Sequence, residues 1–195
     1  MWKAIVKGSV VGALVAFIWS FFSWVILPWH EQTVNKFENE EYVSWALKEN
    51  TQKHGIYVYP FCDGDKAVTK EEKKAAWKDY ENKVQNGPYV FASVSPNGIR
   101  YNMIWNQVQM IIALFIASGI ISYLLLKSHF TSYFGRVFFV TSIALIAGIL
   151  VNAVNWIWWY YPTDFTLINM IDLVVTWFIA GLAMVPVVKI KHQQG

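Results

Sequence analysis

Asp172 is the one charged residue inside the long apolar stretches of this sequence. A carboxylate held away from water is costly, so by default such a residue marks a ligand-binding or proton-handling function. A structural reading stands beside it. Counted from Ile168, Asp172 lies about one turn into its stretch, near a helix amino end where the backbone dipole favours negative charge. Three polar pairs lie at comparable depth: Asn106 with Gln109, Asn152 with Asn155, and Asn169 with Asp172 itself. Each pair is three residues apart and so shares one helix face. If those faces converge, they line a polar pocket with Asp172 at its centre and His30 at its mouth. For the amides alone, interhelical hydrogen bonding is the stronger reading.

His30 follows Leu27, Pro28 and Trp29, with Glu31 beside it. An imidazole there could bind metal or move a proton near neutral pH. One histidine makes no metal site, and His54, Cys62, Asp63 and Asp65 show no ligand spacing; Asp63, Gly64 and Asp65 read as a turn. His129 and His192 fall on the opposite side of the membrane from these groups. Cys62 is the single cysteine, which excludes an intrachain disulfide. The sequence has no nucleophile elbow, phosphate loop, metalloprotease helix or haem-attachment motif, so it nominates no catalytic residue, and neither cofactor nor metal is expected. A net charge of +3 without a basic face excludes nucleic acid as a partner.

The elements that must position these residues are membrane spans. Crossing a hydrocarbon core takes about 20 apolar residues in a helix, and four stretches qualify: 8–27, 105–126, 137–160 and 168–188. Lys3 and Lys7 precede the first like the charged region of a signal peptide. Its end in Trp24, Val25, Ile26 and Leu27 lacks the small residues of a cleavage site, so it reads as a retained anchor. Lys3 and Lys7, Lys127 and Arg136, and Lys189 and Lys191 flank the spans at alternate ends without any acid. The positive-inside rule then places both termini and the middle loop in the cytoplasm. Trp24, Trp29, Trp105, Trp156, Trp158, Trp159, Tyr160 and Tyr161 form an aromatic belt at the outer boundary. Gly8, Gly12, Ala16 and Ser20 repeat at every fourth place, a strip for close helix contact within the bundle or between copies; Ala144, Gly148 and Asn152 make another.

Between the first two spans, 28–104 reads as a water-exposed fold. A helix is expected over roughly 37–52, a strand over 56–59, and a helix over 70–86 opened by a Thr69–Glu72 capping box and stopped by Gly87 and Pro88. A second strand spans 89–95, and Asn97–Gly98 turns into a short third one. So small a unit buries little on its own, so it is expected to rest on the outer span ends and form one body with them. The expected fold is an all-α transmembrane four-helix bundle with a small α+β extracytoplasmic domain inserted between spans one and two, a single integral membrane domain over 1–195. The layout resembles the claudin-type tetraspan plan in topology. That family's outer loop carries a Trp, Gly-Leu-Trp, Cys, Cys signature, whereas this chain has one cysteine and no Gly-Leu-Trp, so no junction role is carried over.

The function expected first is that of a non-catalytic accessory or interaction subunit in a bacterial cytoplasmic (inner) membrane, binding a partner protein, a second copy or membrane lipid through its outer domain. A small-solute or ion carrier using Asp172 is the alternative; an enzyme acting at the outer face through His30 or Asp172 is the third. The orientation is checked by an amine-reactive, membrane-impermeant label on intact cells. Lys74 is expected to react and Lys127 to stay protected; the reverse pattern overturns the topology.

Overall fold

A computed structural model describes residues 1–66 and 68–189. It is mostly helical, with one two-stranded sheet and four helices long and apolar enough to cross a membrane: Trp2–Ile26, Met103–Lys127, Tyr133–Trp158 and Thr163–Met184. Two compact units emerge, one of Met1–Asn35 with the chain from Asn102 onward, the other Lys36–Tyr101. Lys191 and His192 lie outside the described residues.

In the first unit, α1 (Trp2–Phe21) runs into a π-helical turn, Phe22–Ile26, closed by the Leu27 amide on the Phe22 carbonyl at 3.1 Å. Pro28 has no amide hydrogen and cannot prolong it. Helix α4 (Met103–Lys127) starts where the Asn102 side chain accepts from the Trp105 amide, and α5 (Tyr133–Trp158) where Ser132 accepts from Gly135. Helix α6 (Thr163–Met184) begins five residues before the expected Ile168, directly after Pro162.

These helices are apolar on every side, so general hydrophobicity cannot choose partners for them; small residues can, by admitting a neighbour's backbone. Gly8, Gly12 and Ala16 are buried. A Cβ on Gly8 would collide with the Ser122 hydroxyl and Val188, and one on Gly12 would lie 2.5 Å from Met184 Sδ and 2.6 Å from Ser118 Oγ. Helix α1 therefore sits between α4 and α6, with Ser20 half-buried further along. Gly148 of α5 lies against Leu173 and Met170 of α6, and Gly181 of α6 against Val140. The packing order is α4, α1, α6, α5, and the consecutive helices α4 and α5 touch little.

Arg136, read from sequence as a loop base, is instead buried in the first turn of α5. Its Nη2 donates to the Val188 carbonyl at 2.6 Å and its Nη1 to Val185 at 3.4 Å, while the Tyr133 hydroxyl donates to Leu182 at 3.0 Å. Val185 and Val188 lie just past the end of α6 at Met184, where a cation also meets the negative end of the helix dipole.

The second unit contains α2 (Glu40–Asn50), β1 (Gly55–Tyr59), α3 (Lys70–Asn86) and β2 (Val90–Val94). Asn39 caps α2 by accepting from the Tyr42 amide. Thr69 and Glu72 form the capping box of α3. The Thr69 and Val68 amides hold the Glu72 carboxyl below its ordinary range; the cap is therefore intact at neutral pH and lost as pH falls through that lowered value. Gly87, at φ +66°, ends α3. The strands pair antiparallel, Gly55 opposite Val94 and Tyr59 opposite Val90. The expected third strand does not form among the described residues: after the Ser95–Gly98 turn, Asn102 is already committed to capping α4.

Thermal unfolding in detergent tests the packing order. Gly12→Val is expected to destabilise the helical unit by about 2–3 kcal/mol through overpacking. Gly148→Ala, whose new methyl meets its nearest atom at 3.5 Å, is expected to be tolerated. Equal effects would refute the arrangement.

Candidate functional site

Where the helical fold of α1 widens into its π turn, one buried polar cluster joins α1, the turn after it and α6. Trp19 and Ser23 lie four apart on the face that continues Gly12 and Ala16. The Trp19 indole Nε1–H donates to Asp172 Oδ1 at 2.8 Å, and the Ser23 hydroxyl donates to the same oxygen at 2.8 Å. Oδ2 faces His30 Nε2 at 3.3 Å. Ser23 Oγ in turn lies 3.2 Å from His30 Nε2 and accepts from Trp29 Nε1 at 3.1 Å. Asp172, His30 and Ser23 are 8%, 3% and 0% exposed, so the cluster is closed to solvent. Trp24 stacks on the His30 ring, centroids 3.8 Å apart and planes within 8°.

Because α6 starts at Thr163, Asp172 is nine residues into it, about 13 Å along the axis, beyond the first turn where the dipole acts. Position on its own helix therefore does not stabilise the carboxylate; donors from α1 and the following turn do. The Thr176 hydroxyl, which donates to the Asp172 carbonyl at 2.7 Å, ties down the same turn of α6.

The proton positions follow from what each group can do. With Asp172 as the carboxylate, which only accepts, Nε2 of His30 carries the hydrogen between them. Ser23 has given its own hydrogen to Asp172 and uses its lone pairs for Trp29 and His30. Among the described residues, Nδ1 of His30 is buried without a hydrogen-bond partner. A serine–histidine–acid relay needs the serine and the acid on opposite ring nitrogens, so that one orients the base while the other yields its proton. Here both meet Nε2, and the geometry is not that of a nucleophile relay.

Of the seven residues read as a pocket, Asp172 and His30 share a hydrogen bond. Asn152 donates to the Gly148 carbonyl at 2.9 Å and Asn169 to Phe165 at 2.7 Å, each back along its own helix. The Asn155 carbonyl accepts from the Trp159 and Tyr161 amides, and Asn106 and Gln109 are exposed on α4. The amides thus take no part in the Asp172 hydrogen bonds. Two tryptophans assigned from sequence to the belt, Trp24 and Trp29, belong to the cluster, and Trp19 was not singled out at all. The available signal was the Trp19–Ser23 spacing on the small-residue face. Among the described residues no group of three or more His, Cys, Asp or Glu could hold a metal ion. Comparison with protein-family models, curated proteins and solved structures returns no match.

Removing the carboxylate strands three donors in a closed site. Asp172→Ala is expected to cost about 3 kcal/mol or more of unfolding free energy, and Asp172→Asn, which keeps an acceptor for Trp19 and Ser23, distinctly less. Denaturant unfolding followed by tryptophan fluorescence measures both. An Asp172→Ala variant as stable as the parent would show that the cluster does not hold α1 to α6.

Proposed function

We propose that the chain is a four-helix membrane bundle in a bacterial cytoplasmic membrane, with both termini inside and residues 36–101 outside. In this reading it acts as a non-catalytic accessory subunit whose outer unit binds a partner protein. One observation carries the reading: the second unit has almost no core of its own. Among its described residues Val94 and Pro60 are the apolar side chains it buries, while Phe37, Tyr42, Trp45, Phe61 and Trp77 are each more than half exposed. Exposed aromatic surface in so small a unit marks an interaction site, because tryptophan and tyrosine gain most when a partner covers them. The Asp172 cluster supports the same reading from the other side. Its carboxylate already accepts three donors and is closed to solvent, which suits a structural tie better than a carrier's ion site.

Photo-crosslinking in native membranes tests this. A benzoylphenylalanine at Trp45 or Trp77 is expected to capture a discrete polypeptide, and Trp77→Ser is expected to lower capture from position 45 about tenfold or more. Adducts to lipid alone from both positions would overturn the proposal.

A further inference from the structure

The geometry points to a binding site for one anionic phospholipid in the groove between the end of α4 and the start of α5, a site that rests on the membrane reading above. Its origin lies in the packing order. Helices α4 and α5 are consecutive, yet α1 and α6 intervene between them over most of their length, so the two touch little. An open groove of about 500 Å³ remains, lined by Leu124, Lys127, Ser128, His129, Phe130 and Phe139. Phe130 folds back on Phe139, ring centroids 5.5 Å apart, and makes an apolar floor. The Ser128 hydroxyl is turned to the Leu125 carbonyl. The groove is thus greasy along its length and basic at its lip.

Charge decides what suits that lip. Lys127 is exposed, makes no ion pair among the described residues, and holds its ammonium 6.0 Å from the Tyr123 ring centroid. His129 is exposed beside it. The Gly8 contacts with Ser122 and Val188, and the Arg136 bond to Val188, bring Lys3, Lys7, Lys127, Arg136 and Lys189 to one end of the helical unit, and no acid accompanies them. Arg136 is turned to the Val185 and Val188 carbonyls, which leaves Lys127 and His129 as the bases at this groove. A phosphodiester held by Lys127 and His129, with an acyl chain along Leu124, Phe130 and Phe139, matches both halves. Free phosphate would leave the apolar floor uncovered.

The test uses the full chain in nanodiscs holding equal phosphatidylglycerol and phosphatidylcholine of matched chains, followed by native mass spectrometry of the lipid retained. Phosphatidylglycerol is expected to be retained in preference. Lys127→Gln with His129→Gln is expected to lower that preference about fivefold. Lys3→Gln with Lys7→Gln, at the same end but off the groove, is expected to change it less than twofold, and thermal unfolding confirms that each variant is folded. No preference in the parent chain, an equal loss in the Lys3/Lys7 control, or capture of a polypeptide by a photo-crosslinker at Phe130 would each overturn the proposal. Extraction of native membranes with alkaline carbonate separates the two readings. A chain that washes off refutes membrane insertion and this site together; one that stays embedded without lipid preference refutes the site alone.

Discussion

A single carboxylate placed between apolar helices has to find its hydrogen-bond donors in the protein, and much of the helical unit is arranged around that need. Asp172 cannot draw on the start of its own helix, nine residues away. It draws on Trp19 of α1, on Ser23 of the turn that follows and on His30 beyond that turn. The π-helical turn at Phe22–Ile26 carries Ser23 and leads on to His30. The widened turn keeps Ser23 fully buried and sets Trp24 flat over His30, so that the imidazole reaches the carboxylate from a segment that has already left the helix.

The same helix, α6, is tied at its other end by the opposite charge. Arg136 gives its guanidinium to the carbonyls of Val185 and Val188, and Tyr133 gives its hydroxyl to Leu182. Between these two polar ties the contacts are made by size: Gly8 and Gly12 admit Ser122, Ser118, Val188 and Met184, and Gly181 admits Val140. Polar groups thus set depth and register, and small residues set which helices meet. In the membrane reading proposed above, the division follows from the solvent, because in hydrocarbon an apolar side chain gains little by exchanging lipid for protein.

The two units differ in how far each satisfies itself. The helical unit surrounds the Asp172 carboxylate with donors and packs its small residues internally. The second unit secures its helix starts through Asn39 and the Thr69–Glu72 box, yet leaves Trp45 and Trp77 uncovered. Local structure there is well specified while burial is incomplete, and that contrast supports the proposed interaction role of the second unit and the proposed structural role of Asp172.

Several features were legible in the residues alone, and each rests on local physics. The four apolar lengths, the capping box at Thr69, the stop at Gly87 and the two short strands depend on neighbours in sequence. So does the spacing of Gly8, Gly12 and Ala16. Helix α6 starts at Thr163, directly after Pro162, and that shift of five residues changed what Asp172 means, from a group near a helix end to one that needs donors from elsewhere. Which faces meet was not legible, because helices that are apolar all round carry no direction; the pairing of α1 with α4 and α6, and the groove left between α4 and α5, depend on how small residues interlock in three dimensions. The convergence of Trp19, Ser23 and His30 on Asp172 belongs to the same class. Contacts spanning 142 to 153 residues are decided by tertiary packing, since nothing within a helical turn of Asp172 records that its partners stand on another helix.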